Sequence, residues 1–250
     1  MINYVMLTWN RKTFVEEFFK SFYNNIGNQN FNFYIIDNGS TDGSVELLKE
    51  IGKKDARIKL AFNTENKGLG EYKLLFKKAL KESKSDYIVI MDDDVIDFPE
   101  NFDLKMMAAL QEFKEVGYLS LDVVQDDKTN GAKPPKENYT EVVRNNIAID
   151  FGPAGGWCAM VRTKDFRKIN FFVGLRKLSM KSGEDGTIIW FLKRLLNKKS
   201  AVLKNIICLH ATGPYYAKKF GFLERDIEKY NNSGLIELRD IYISYRDKEI

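Results

Sequence analysis

Three consecutive carboxylates, Asp92-Asp93-Asp94, follow directly on the apolar run Tyr87-Ile88-Val89-Ile90-Met91. Like charges a few ångströms apart repel and raise one another's pKa unless a cation neutralises them. A divalent ion would resolve that conflict. In extended backbone Asp92 and Asp94 point the same way while Asp93 faces elsewhere, so Asp92 and Asp94 can share one metal and one diphosphate. A solvated acidic turn uses the same residues, and the place of the triplet at a strand end sets the ligand reading beside it. His210, the only histidine, follows the apolar run from Val202 to Leu209 and so stands at another strand end. Imidazole with carboxylates and phosphate oxygens suits Mn²⁺ or a similar ion better than an all-oxygen Ca²⁺ cage. A hydrogen-bonded structural histidine is the alternative.

Gly183-Glu184-Asp185-Gly186 puts two carboxylates ahead of an apolar helix. There they can simply complement the helix dipole, or one can serve as general base toward an attacking hydroxyl. Asn66-Lys67-Gly68-Leu69-Gly70 lacks the spacing of the dinucleotide fingerprint and of the Walker A loop, and two glycines allow either close approach of a ligand or an ordinary turn. Gly152-Pro153-Ala154-Gly155-Gly156-Trp157 is another flexible segment, whose indole can stack on a sugar or pack in the core.

These residues must be positioned by the elements around them. Strand-like runs at Ile2 to Thr8, Phe31 to Asp37, Ile58 to Phe62 and Tyr87 to Met91 alternate with amphipathic stretches at Lys12 to Asn25, Ser44 to Ile51 and Glu71 to Lys81. That βαβαβαβ rhythm predicts an α/β fold with a parallel sheet and crossover helices. Ligands of such sheets bind beyond the carboxyl ends of the strands. Thr8-Trp9-Asn10-Arg11, Asp37-Asn38-Gly39-Ser40 and the aspartate triplet are therefore expected to face one crevice. Beyond Pro99 the pattern predicts helices at 102–113 and 185–196 and strands at 117–124, 147–151, 158–162 and 201–209. Gln125 to Asn138 has the turn composition of a surface loop or lid.

Composition sets the outer bounds. The chain has 250 residues, 44% of them hydrophobic, enough for one large α/β domain. Lys plus Arg number 39 against 35 Asp plus Glu, a balance that gives no strong pull toward nucleic acid. Cys158 and Cys208 lie in apolar stretches and suit buried thiols in a reducing compartment. No apolar run reaches membrane-spanning length, which leads us to expect a cytoplasmic protein. Tyr215 to Leu223 mixes aromatics with lysines, as either an interfacial segment at the inner membrane face or a packed C-terminal helix would.

Taken in order, these segments resemble the family 2 glycosyltransferases of the GT-A fold, from about Tyr4 to about His210. The resemblance implies a Rossmann-like α/β domain: a mostly parallel central sheet flanked by helices, with a smaller acceptor-side subregion. Residues 1–100 would form the nucleotide-sugar half, 101–222 the acceptor and catalytic half, and 223–250 a helical tail. Thr8, Asn10 and Arg11 match the family opening, Asp37 its base-binding aspartate, and Asn66 and Gly68 its next nucleotide-side motif. Asp92 and Asp93 would lie on the nucleotide side, and Gly155 and Gly156 in the segment lining the donor-sugar and acceptor pocket. The implied metal set, for Mn²⁺ or Mg²⁺, is Asp94, Asp92 and His210. Glu184 and Asp185 match the acidic pair at the acceptor side, with Asp185 as base. Lys73 stands where Arg is usual, and Asn38 where a second Asp is frequent; a lysine keeps the charge but loses the planar fork. The implied reaction is inverting transfer from a nucleotide-diphosphate sugar, UDP being the commonest in the family, to a glycan, a lipid-linked glycan or a protein. A nucleotidyltransferase and a catalytically silent binding module remain as alternatives.

Overall fold

The computed structural model describes residues 1–81, 84–129, 133–180 and 182–250. Its first half follows the alternation of the sequence: β1 (Ile2–Thr8), α1 (Lys12–Asn25), β2 (Phe31–Asp37), α2 (Ser44–Lys54), β3 (Ile58–Phe62), α3 (Tyr72–Lys81) and β4 (Tyr87–Asp92). β1 pairs in parallel with both β2 and β4, and β2 with β3. These strands are apolar on both faces because helices cover both. Along β1, Tyr4 and Met6 enter the core beneath α1 while Val5 enters the core beneath α3, the two-residue period of an extended chain.

The second half adds β5 (Val95–Asp97), α4 (Phe102–Glu112), β6 (Val116–Val123), β7 (Thr140–Arg144), β8 (Ile147–Phe151), β9 (Cys158–Arg162), α5 (Thr163–Leu175), α6 (Glu184–Leu196), β10 (Lys199–His210), α7 (Pro214–Lys219), α8 (Leu223–Asn232) and α9 (Ile236–Ile243). The sheet runs β3-β2-β1-β4-β9-β6-β10-β8-β7, with β5 added to β10. Its parallel part, expected to make up most of the sheet, is β3-β2-β1-β4 and the β6–β10 pair. β9 runs antiparallel to both β4 and β6, and β8 antiparallel to β7 and β10. The physical reason is short connection: β7 and β8 are joined by the turn at Asn145-Asn146, both at positive φ, which can only bring back an antiparallel neighbour. Within the loop expected at 125–138, residues 130–132 lie outside the described residues.

β10 is the element that matters most for function. It pairs with β6, then shifts register between Leu203 and Ile207, and at its end pairs with the three-residue β5. His210 stands opposite Val95, and Ala211 N donates to Asp94 O at 2.8 Å. The histidine is thereby delivered beside the aspartates that end β4.

Candidate active site

Asp93 and its neighbours are sorted by their hydrogen bonds. Thr8 Oγ1 donates to Asp93 Oδ2 at 2.7 Å, and one Arg11 nitrogen donates to Asp93 Oδ1 at 2.8 Å and to Asp94 Oδ2 at 2.5 Å. Asp93 is thus turned toward the end of β1. Asp92 and Asp94 turn the other way, toward His210, whose Nε2 lies 3.0 Å from Asp94 Oδ1 and 3.6 Å from Asp92 Oδ2. Ligand atoms from Asp92, Asp94 and His210 all fall within 4.8 Å of one another.

The electrostatics are those of a site short of positive charge. Burial and the nearby Asp94 push the Asp92 carboxyl up to about 7, against the pull of His210. Burial pushes Asp94 up too, but Arg11 and His210 outweigh it and hold that carboxyl well below the ordinary range. Burial lowers His210, and Asp94 more than reverses that, so the imidazolium is favoured. One proton on His210 and one guanidinium thus stand where a divalent ion would do the same work at two carboxylates and an imidazole. This donor set, with its mutual distances, fits Mn²⁺ or Mg²⁺.

A cavity of about 800 Å³ opens on one side of the cluster, lined by Thr8, Trp9, Arg11, Asn38, Asn66 and Gly68 together with Asp92, Asp93, Asp94 and Glu184. Asn38 organises its rim. Its Nδ2 donates to Asn66 Oδ1 at 2.8 Å and Gly68 O at 3.3 Å, while its Oδ1 accepts from Lys67 N and Asn63 Nδ2, both at 3.0 Å. An aspartate has no donor for the first two bonds, so the departure from the family pattern is what holds this loop. Gly68 takes φ +69°, with open space where a side chain would be. Asn10, Asp37 and Lys73 are not among the residues lining the cavity; Tyr72 is. Asn10 ties β1 to the β2–α2 loop, accepting from Thr41 N at 2.7 Å and donating its own N–H to Ser40 Oγ at 2.7 Å. Asp37 is fully buried and accepts from Ser40 N at 2.9 Å, but its Oδ2 has no partner among the described residues, and burial raises its pKa.

A second cavity of about 340 Å³ adjoins the same cluster, lined by Asp92, His210, Gly155, Gly156, Trp157 and Asp185 among others. A Cβ on Gly155 would fall 2.2 Å from the Trp157 ring, and one on Gly156 would fall 3.0 Å from Glu184 Oε1, so both glycines permit a close approach of chain to site. Trp157 resolves toward packing: it is buried, and its indole N–H donates to Leu121 O at 2.9 Å. The acidic pair at the start of α6 is divided. Glu184 is buried and lines the larger cavity, with burial, then Asp92, raising its carboxyl to about 8. Asp185 is half-buried and lines the smaller one, its Oδ1 accepting from Gly186 N at 2.6 Å.

The tail supplies residues that sequence reasoning missed. Arg225, Lys229 and Tyr230 of α8 line the larger cavity. Asp226 lies 3.7 Å from Arg11 and is also paired with Arg225, which donates to Trp9 O at 2.8 Å. The signal available was an Arg-Asp pair one turn before a lysine on an amphipathic helix, which any solvated helix shares. Of the two readings of Tyr215 to Leu223, the burial of Tyr216 and Phe222 in a small core with Phe14 and Ala211 agrees with the packed one. Among the described residues no helix is long and apolar enough to cross a membrane.

Comparison with known proteins agrees with this geometry. The chain is 32% identical over 94 residues to an uncharacterised glycosyltransferase of Haemophilus influenzae, 38% of this chain and 36% of that protein. It is 28% identical over 150 residues to one of Methanocaldococcus jannaschii, covering 57% of this chain and 49% of that one. The chain thus spans half or less of these relatives. Its fold matches a mannosyltransferase of Pyrobaculum calidifontis solved with GDP-Man and Mn²⁺, at TM-score 0.60, 15% identity and coverage of 99% of this chain and 65% of that one. TarS of S. aureus solved with UDP-GlcNAc matches at TM-score 0.55 and 18% identity, over 93% of this chain and 67% of that one. The model of glycosyl transferase family 2 matches residues 4–170, from β1 through β9 into α5, and the chain belongs to that family.

Proposed function

We propose that this site transfers a glycosyl group from a nucleotide-diphosphate sugar to an acceptor hydroxyl. One observation carries the reading: two cavities adjoin a single cluster and share Asp92, His210 and Thr212 in their walls. A donor in the larger cavity and an acceptor in the smaller one would meet at the metal ligands.

Asp92, Asp94 and His210 would hold the divalent ion, which when bound offsets the charge of the departing diphosphate. Asn38 holds the Asn66–Gly68 loop at the rim of the larger cavity, and Asp37, whose buried Oδ2 has no partner among the described residues, is the residue that the family resemblance assigns to the base. Asp185, in the acceptor cavity, takes the proton as the acceptor oxygen bonds to the anomeric carbon and the bond to the nucleotide diphosphate breaks. Attack from the side opposite the leaving group inverts the anomeric centre. UDP is the favoured nucleotide on family frequency. A glycan, lipid-linked glycan or protein at the cytoplasmic face of a membrane is the favoured acceptor class.

Thermal unfolding with UDP, GDP, dTDP and CDP, each with and without Mn²⁺, tests the donor half. At about 100 times its dissociation constant the cognate nucleotide adds roughly 2.7 kcal/mol, and the increment should need metal and vanish in Asp94→Ala. No increment with any nucleotide would sink the reading. Pyrophosphate released from a nucleoside triphosphate and a sugar phosphate would replace it with a nucleotidyltransferase.

A further inference from the structure

The helices on the two faces of the sheet are charged differently. α1, α2 and α4 on one face carry as many acidic as basic residues. On the other face, α3, α5 and α6 contain Asp165 and Glu184, both buried, and Asp185, half-buried in the acceptor cavity; the exposed charges of these helices are cations. Lys164, Arg167 and Lys168 of α5, Arg176 and Lys177 just after it, and Lys193 and Arg194 of α6 are exposed.

Amid these cations stands an apolar ridge. Phe171 is 68% exposed, Leu175 70% and Trp190 50%. Lys164, Arg167, Lys168, Phe171, Phe172 and Leu175 recur at three- and four-residue spacing, so they form one stripe of α5. The stripe is continuous with α6: the Phe172 ring stacks on Phe191 at 5.7 Å, Trp190 meets Phe191 edge-on at 4.8 Å, and the Arg176 guanidinium lies 5.4 Å from the Trp190 ring centre.

We infer that this α5–α6 face docks on the surface of an anionic lipid bilayer. Aromatic and aliphatic side chains rimmed by lysine and arginine suit the boundary between headgroups and acyl chains, where the ridge is buried and the cations meet lipid phosphates. A second copy of the chain would set the same cations against one another, and a purely electrostatic partner would leave the ridge in water. Trp190 lies five residues along α6 from Asp185, about 7.5 Å of helix rise and about 140° around the axis, so the docked ridge and the acceptor cavity proposed above are served by one helix.

Vesicle flotation tests the docking without depending on catalysis. The whole chain is mixed with phosphatidylcholine vesicles and with vesicles in which phosphatidylglycerol replaces part of the phosphatidylcholine. It should float with the anionic vesicles only, and release as salt rises from about 0.1 to 1 M and the screening length falls from about 10 to 3 Å. Phe171→Ser with Leu175→Ser and Trp190→Ser should weaken binding about tenfold or more, at an unchanged unfolding midpoint. Lys164→Glu with Lys168→Glu and Lys193→Glu, which keeps the ridge, should do the same and guards against a misfolded first variant. Failure of the wild type to float, or variants that float equally well, overturns the inference. So does a concentration-dependent dimer that both variants abolish, which would make the face a contact between copies.

Discussion

Arg11 neutralises three buried carboxylates at once, those of Asp93, Asp94 and Asp226. Breaking a buried ion pair by removing one partner leaves an uncompensated charge, worth about 3–5 kcal/mol. Arg11→Met should therefore lower stability by that order in urea titrations of the metal-free protein, and added Mn²⁺ should recover part of the loss. Asp185 makes the opposite case. Among the described residues its side chain accepts from the adjacent Gly186 N–H, and it lines the smaller cavity. Asp185→Asn should leave the metal-dependent nucleotide shift nearly intact while lowering transfer by about 10²- to 10⁴-fold, the usual worth of a general base. Full transfer by that variant would remove Asp185 from the mechanism.

At the scale of elements, α8 lines the larger cavity even though the family match ends at residue 170. Arg225 and Lys229 share its wall with Asp93 and Asp94. Lys229→Ala should weaken binding of a nucleoside diphosphate about tenfold, the loss of one charge-assisted hydrogen bond, with Mn²⁺ affinity unchanged; calorimetric titration of each ligand separates the two. What could be read in advance follows from how local each signal is. β1, α1, β2 and β3 were legible to the residue because periodicity, turn residues and burial on both faces agree along one short stretch. That Asp92, Asp94 and His210 come together was legible because they follow directly on apolar runs. β5 escaped because three residues show no period. β7 escaped because Thr140–Arg144 is mostly exposed and sets its two valines side by side between Glu141 and Arg144 at a sheet edge, without alternation. The contributions of α8 and of Asn38 depend on partners distant in the chain, and no local pattern announces them. Lys73 failed as a cavity residue for a related reason: on α3 the side that meets the cavity carries Tyr72 instead.

The whole molecule should respond to pH through its carboxylates. Asp92 and Glu184 titrate at about 7 and about 8 in the folded, metal-free protein, above their ordinary range near 4. A raised folded pKa contributes stability that is complete below the ordinary value and is lost as pH rises through the folded one. His210, also raised, acts in the same direction. The unfolding midpoint without metal should therefore fall as pH rises from about 4 to about 8, and Glu184→Gln should flatten the upper part of that fall. Mn²⁺ requires ionised Asp92 and neutral His210, so its stabilising increment should be larger at pH 8 than at pH 6. Calorimetric scans across this range, with and without Mn²⁺, check both trends; an increment independent of pH would count against Asp92 as ligand.

The pairing of β10 with β5 also orders events in time. Asp92 and Asp94 leave the ribosome early, while His210 is made only after five further strands and three helices. At about 5–20 residues per second, that interval is on the order of ten seconds. Throughout it the growing chain carries its acidic triplet with Arg11 already paired to it and without the imidazole. No partial chain ending before β10 can hold an ion by this set of ligands.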